Sequence, residues 1–578
     1  MKKNISYLVM LFINIILYIL ICNLFPNLNN LIVGISLFSI LNILDWLKEK
    51  KNFYKNRTYI SIYLILTVLL NFYLKFSMYT VIVIAYTLII LLTNLLKDNK
   101  KFYDTIFLIC TFFLMSLFIT SNTNSSPQGN NMTYTDSSVS KYIGKMMTQG
   151  KVPYLDGFDH KGLFLFIINF IGYLINEHWG IWLLENVALV ITMFFGFKFV
   201  NLYTKNNIVS YFSVLCCMLT IASIYNGGNY TDEWEIPLVM ISLYYFFKGI
   251  KNNNLKNVYC VIIGICCSLG LLLRPNIVLI WVVFAVYLLI KYILDKKFKE
   301  LFSKILWFAV GNLIVLVPSI LYLIINNAFE DFIYQCFIFN FNYFSNWPSP
   351  YTYKQTFEYF YGLVPIILPC LAINIIALIN SKKDKILPVI NLVLFFVSLY
   401  LIISPKNLYE HYAMIILPIL LYPISWIINL ISKNISNNKF KTVIALVILV
   451  ICIQYKEINV IYNKAISVKN DGEWLVEIKT AIQENSKKDD NVLVIGNDCL
   501  LYLISDRMYH NKFFYSGITI IDEKLENDFI DEVKNDNPDV IVTSKSIVIE
   551  EINEIINSNY TYVGTYNPNY ELYVLNGK

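Results

Sequence analysis

Residues 134–165 read YTDSSVSKYIGKMMTQGKVPYLDGFDHKGLFL, a polar stretch lying between two long apolar runs at 104–120 and 181–200. Asp136 opens it. The residues that follow, 137–150, carry apolar side chains at Val139, Ile143 and Met146 or Met147, a helical period. Aspartate is a preferred N-cap, so Asp136 followed by Ser137 and Ser138 reads either as a helix cap or as a chemical group. Gly150, Pro153 and Tyr154 then form a turn, after which Asp156, Asp159, His160 and Lys161 crowd together. So many ionisable groups beside a bilayer surface are costly unless they are paired or used.

The bilayer follows from what surrounds this stretch. The chain has 578 residues, of which 57% are hydrophobic and 15% charged, where soluble domains carry about 25% charged residues. The 40 Phe and 43 Tyr suit membrane–water interfaces. Runs long enough to cross the hydrocarbon core lie at 5–25, 31–47, 59–75, 77–95, 104–120, 181–200, 208–225, 236–250, 257–273, 276–292, 303–325, 359–380, 386–403, 412–431 and 441–457. Lys2 and Lys3 precede the first run, which lacks a small-residue cleavage site and is read as a retained span. The net charge of +6 comes from Lys and Arg between apolar runs, so nucleic-acid binding is a poor reading. Most of the eleven Cys sit inside apolar runs, Cys216, Cys217, Cys266 and Cys267 among them, with neither metal-like spacing nor a disulfide framework.

Basic clusters at 48–57, 97–101, 248–256, 291–299, 382–385 and 433–441 set the orientation. With the N-terminus inside, all of them fall on the cytoplasmic side, provided 163–176 is a juxtamembrane or re-entrant helix that does not cross. The opposite side then holds the long loop 121–180, the loop 226–235 (NGGNYTDEWE), the aromatic loop 326–358, the turn 404–411 (SPKNLYEH) and the tail from about 458. All four His (His160, His178, His411, His510) fall there. The tail differs in kind. Strand-like runs at 492–496, 539–544, 560–566 and 571–576 accompany amphipathic stretches at 473–486, 522–535 and 545–557, which predicts a small extracytoplasmic α/β domain. The division is therefore 1–103, four N-terminal transmembrane helices; 104–457, a membrane domain carrying the candidate chemistry; and 458–578, the α/β unit.

Asp136, the Gly150-Lys151-Val152-Pro153-Tyr154 turn and Asp159-His160-Lys161-Gly162 resemble, in order, spacing and sidedness, the GT-C superfamily of membrane glycosyltransferases. The likeness is to the branch of protein O-mannosyltransferases and the lipid A aminoarabinose transferase, and it covers about 104–430. Two departures stand out: Asp136-Ser137 replaces an acidic pair, and Lys161-Gly162 replaces Lys-Pro-Pro. The resemblance implies a polytopic α-helical, GT-C-like membrane protein. Its implied function is a glycosyltransferase that moves a sugar, with inversion, from a polyprenyl-phosphate donor to an acceptor on the outer face of the cell membrane. The acceptor would be a cell-wall polymer, glycolipid or protein. It assigns Asp136 as the general base, since an attacking hydroxyl must shed its proton. It implies no cofactor beyond the lipid-linked donor, and no metal.

A departing phosphate needs cations. Arg274 in GLLLRPN, Lys406, His411 and Lys161 are the candidates for it, Arg being suited to bidentate contact. Arg274 also reads as a snorkelling interfacial residue, His411 and Tyr412 as interfacial anchors, and Lys161 as a partner of Asp159 alone. Asp159, His160, Tyr154, Glu233, Glu235, Tyr351 and Tyr412 are candidates for substrate binding. Glu233 and Glu235 equally suit a helix N-terminus, where carboxylates are favoured, and Trp347, Tyr351 and Tyr353 an aromatic belt. Two other classes compete, a lipid-linked sugar transporter or flippase and a polysaccharide polymerase. The chain lacks the internal repeat common in transporters, and its long loop lies early, after the fifth run, as in the transferases. Lys, Asn, Ile and Tyr richness points to a low-GC bacterial genome, in which undecaprenyl phosphate is the expected carrier.

Overall fold

The structure is a computed structural model that describes residues 100–578, apart from 121–122, 127–134, 226, 343–348, 382–384, 436–438, 467–472, 497–498, 546, 568 and 578. The four spans expected before residue 96, and Trp347, lie outside the described residues. From residue 104 onward every expected apolar run is helical. In chain order the helices are α1 (Lys100–Thr120), α2 (Thr135–Thr148), α3 (Leu163–Ile175), α4 (Gly180–Thr204), α5 (Asn207–Leu219), α6 (Thr231–Lys251), α7 (Asn257–Leu271) and α8 (Leu279–Leu294). Then come α9 (Phe298–Ile325), α10 (Phe329–Ile333), α11 (Tyr353–Leu363), α12 (Ile367–Asn380), α13 (Ile386–Ile403), α14 (Leu417–Ile435), α15 (Lys439–Ile453) and α16 (Tyr455–Ile466).

Among the described residues, 5 helical stretches are long and apolar enough to cross a membrane, or up to 7 if each bent pair counts as one span. The chain is a multi-pass membrane protein. In α9, the most apolar window is only 11% buried, so its side chains face lipid instead of a protein core. It packs closely on α7, where small residues let the backbones approach. A Cβ on Gly264 would stand 2.3 Å from the Phe308 carbonyl oxygen, and one on Gly311 2.2 Å from that of Val261. The run 163–176 forms α3, whose 13 residues span about 20 Å, short of the roughly 30 Å hydrocarbon core.

Two expected single spans are broken. The run 359–380 bends by 87° between α11 and α12. Pro365 sits at the break: it cannot donate to the helix ladder, and it drives Val364 out of the helical region. The run 441–457 bends by 75° between α15 and α16. There Gln454 is buried and donates to the Cys216 carbonyl (2.7 Å) and the Thr220 hydroxyl (3.1 Å).

The tail forms α17 (Glu473–Glu484), β1 (Val492–Ile495), α18 (Leu500–Ser505), α19 (Ser516–Thr519), α20 (Glu523–Asp536), β2 (Val540–Ser544), α21 (Glu550–Asn559), β3 (Tyr560–Tyr566) and β4 (Tyr570–Leu575). The sheet order is β1-β2-β4-β3. β1 pairs parallel to β2 (Val492 opposite Val540), and the other pairs are antiparallel. β1 is buried on both faces, as the unbroken apolar run VLVI requires.

Candidate active site

The stretch 134–166 is held by contacts that its own sequence does not reveal. Asp136 lies within the first turn of α2, not before it, so it is not the cap the sequence allowed; its carboxylate still meets the favourable end of the helix dipole. From Ser137 to Met146 every residue of α2 is buried. After α2 the chain turns at Tyr154, which takes φ +70°. There the Asp156 carboxylate accepts from the Val152 N–H (2.6 Å), and the Tyr154 N–H donates to the Gly157 carbonyl (3.0 Å). The Tyr154 hydroxyl donates to the Lys161 carbonyl (2.9 Å). From the far side, the π-helical segment Tyr334–Phe339 pins the same loop. Gln335 donates to the Tyr154 carbonyl (2.8 Å) and accepts from the Asp159 N–H (3.1 Å), while Asn340 donates to the His160 carbonyl (2.8 Å).

A second seam brings two distant cations together. The Gly162 N–H donates to the Leu273 carbonyl (3.2 Å) and the Phe164 N–H to that of Leu272 (2.9 Å). A Cβ at residue 162 would stand 2.0 Å from the Leu272 oxygen, so only glycine permits the approach. Lys161 and Arg274 are the residues flanking this seam.

The result is a cavity of about 650 Å³ lined by Asp136, Ser140, His160, Lys161, Asn229, Tyr230, Asp232, Arg274, Asn340, Tyr353, Lys406, His411 and Tyr412 among others. Its apolar wall includes Leu279, Phe341 and Tyr400, all of them exposed. Two carboxylate–cation pairs face the space. Lys161 Nζ lies 3.2 Å from Asp136 and 3.9 Å from Asp159. Arg274 lies 2.6 Å from Asp232, with His411 3.9 Å from the same carboxylate. The Arg274 guanidinium sits over the Tyr412 ring at 4.8 Å, Lys406 over Tyr353 at 4.7 Å, and His411 stacks on Tyr230 at 4.0 Å.

The charges set the protonation states. Burial pushes the Asp136 carboxyl up, but Lys161, then His411 and His160, outweigh it and hold the group below the ordinary carboxylate value. For Lys161, burial opposes the charge, and Asp136 and Asp159 overcome it and raise the ammonium. Burial, followed by Lys161, pulls His160 down to about 4 against the pull of Asp159 and Asp136, so it is neutral near pH 7.

Of the residues singled out in the sequence, Asp136, Lys161, His160, Arg274, Lys406, His411 and Tyr412 meet in this one cavity. Tyr154, Asp159, Glu233, Glu235 and Tyr351 do not line it. Tyr154 and Asp159 stand behind it, bracing the loop and Lys161. Glu233 turns away to accept from the Tyr225 hydroxyl and from the Asn229 N–H (2.8 Å). Glu235 is buried two residues further along α6. Tyr353, not Tyr351, reaches the cavity. Asp232 is the acid that the sequence reading passed over in TDEWE. Helical phase separates it from its neighbour Glu233 by about 100°, which is the signal that distinguishes the two.

The family profile of the competence-induced protein Ccs4 N-terminal domain matches residues 105–442. No curated protein sequence matches the chain. Among solved structures, the aminoarabinose transferase ArnT from Cupriavidus metallidurans bound to undecaprenyl phosphate aligns at TM-score 0.55 and 12% identity, over 80% of this chain and 96% of that one. Its apo form aligns at TM-score 0.55 and 10% identity, over 82% and 98%. An oligosaccharyltransferase from Archaeoglobus fulgidus aligns at TM-score 0.45 and 11% identity, over 76% and 68%. The fold of the chain is therefore similar to that of ArnT.

Proposed function

The chain belongs to the family of the competence-induced protein Ccs4 N-terminal domain, and from its fold and its cavity we propose that it is a polyprenyl-phosphate-sugar-dependent glycosyltransferase. The observation that carries this reading is that one cavity joins a carboxylate (Asp136) to three cationic side chains (Lys161, Arg274, Lys406) and opens past exposed apolar residues. A lipid-linked sugar phosphate needs each of these: an apolar path for the prenyl chain, cations for the phosphate, and an acceptor of a proton beside the anomeric carbon. The ArnT structure with undecaprenyl phosphate supports the same class of donor.

In the proposed reaction the acceptor hydroxyl attacks the anomeric carbon from the face opposite the phosphate. The new C–O bond forms as the bond from C1 to the phosphate oxygen breaks. The hydroxyl proton passes to Asp136, configuration inverts, and polyprenyl phosphate leaves with its charge held by Arg274, Lys406 and Lys161. His160, neutral, and Asn340 border the sugar. The donor phosphate draws Lys161 from Asp136, which restores basicity to the carboxylate when substrate is present. The cavity and the tail lie on the outer face of the membrane, and the acceptor is a wall polymer, glycolipid or exported protein.

The test is transfer of a labelled sugar from undecaprenyl phosphate by the purified protein. Asp136→Asn is expected to lower kcat by about 10²–10⁴-fold while undecaprenyl phosphate still binds. Full activity in that variant would remove the base. Movement of labelled lipid between leaflets, without a glycosidic bond being made, would replace the transferase with a flippase.

A further inference from the structure

The tail is joined to α2 more intimately than a tethered module would be. Ser138, Tyr142 and Lys145 form one stripe of α2, and each meets the tail. The Ser138 hydroxyl accepts from the Cys499 N–H (2.8 Å). The Tyr142 hydroxyl donates to the Tyr509 carbonyl (3.1 Å) and accepts from the Tyr509 N–H (3.0 Å), and its ring stacks on Phe514 at 4.2 Å. Lys145 pairs with Asp506 at 2.6 Å. At about 100° per residue, this stripe lies on the side of α2 opposite Asp136 and Ser140, which face the cavity. A third side rests on α3, where a Cβ on Gly144 would stand 2.7 Å from the Asn169 backbone. The helix that carries Asp136 is thus pinched between α3 and the tail. With 14 residues it is near the length at which an isolated helix is only marginally stable, so these contacts and not its own propensity fix its rotation. The tail also closes on the loop ahead of Lys161, where the Phe158 N–H donates to the Lys512 carbonyl (2.9 Å) and Lys512 pairs with Asp331 of α10.

We infer that the C-terminal α/β unit is part of the catalytic apparatus, a clamp in which Tyr142 and Lys145 are positioning residues that hold Asp136 in register with Lys161. The inference rests on the transferase reading for its kinetic consequence and on geometry alone for the clamp. Tyr515, the neighbour of Phe514, lies close enough to the Asp136–Lys161 pair for both charges to act on its phenol, which burial and then Asp136 push up.

The experiment uses the full chain in nanodiscs with two variants, Lys145→Met and Tyr142→Phe, and the conservative Lys145→Arg. Backbone hydrogen exchange of 135–148 is compared with that of 180–204, alongside kcat and donor KM. The clamp predicts faster exchange confined to 135–148 in the first two. It also predicts a kcat lower by about tenfold or more, because small misplacements of a reacting group are costly, with donor KM within about twofold. Lys145→Arg should restore both. Unchanged exchange in 135–148 overturns the clamp, as does normal kcat despite faster exchange, or a donor KM that rises in step. Should the wild-type chain transfer no sugar, the transferase reading fails while the exchange comparison still decides whether the tail holds α2.

Discussion

The two carboxylate–cation pairs of the cavity look alike in composition and differ in how they are held. Asp232 is sequestered, with its side chain 2% exposed, and lies 2.6 Å from Arg274; Asp136 is 42% exposed and 3.2 Å from Lys161. Asp232 sits at the start of a long helix packed deep in the bundle, among aromatic rings that also fix His411 and Arg274. Asp136 sits on a short helix braced by loop and tail. A buried, desolvated pair keeps its geometry, because separating its members leaves an uncompensated charge. The Asp136 carboxylate, the more open of the two to solvent, is held less tightly and is free to exchange a partner for an incoming phosphate. On the transferase proposal, the first pair scaffolds the phosphate cations and the second carries the chemistry.

Substitution at each carboxylate breaks this contrast in a different kinetic parameter. Loss of the Asp136 carboxylate is the largest effect expected, and it falls on kcat, as given above. Asp232→Asn should instead raise donor KM by about tenfold and lower the melting temperature, since Arg274 loses its buried counter-charge. Steady-state kinetics on both variants separates the two roles; equal effects on kcat would erase the distinction. A smaller effect sharpens it. Lys161 holds the Asp136 carboxyl below its ordinary value, so the free wild-type chain keeps this proposed base ionised throughout pH 5–8 and loses the charge only as pH falls through that lowered value. In Lys161→Met, burial acts unopposed by its main counter-charge, and the acid limb of kcat/KM should move upward by about 1–3 pH units. An unmoved limb would mean that another group sets the titration.

The same contrast explains what was legible in the sequence. Apolar runs announce helices because the bilayer demands them, and VLVI at 492–495 announces a buried strand for a similar reason. The break at Pro365 was present as a residue but masked by the apolar run around it. Asp232 was hidden among acids of its own kind, and only helical phase, which composition ignores, separates it from Glu233. Tyr351 and Tyr353 differ in the same way, by which side of a chain turn each occupies. The interlock of Tyr142 with Tyr509 and Phe514 joins residues more than 360 positions apart, and no local pattern encodes such a contact.

The central claim is that the cations of this cavity receive a polyprenyl phosphate beside Asp136. A structure of the full chain with undecaprenyl phosphate bound tests it most directly. The account predicts the phosphate within hydrogen-bonding distance of Arg274 and of Lys406 or Lys161, the prenyl chain leaving past Leu279 and Tyr400, and Asp136 facing the space next to the phosphate. A phosphate bound elsewhere, or an Asp136 turned from that space with the lipid in place, would contradict it.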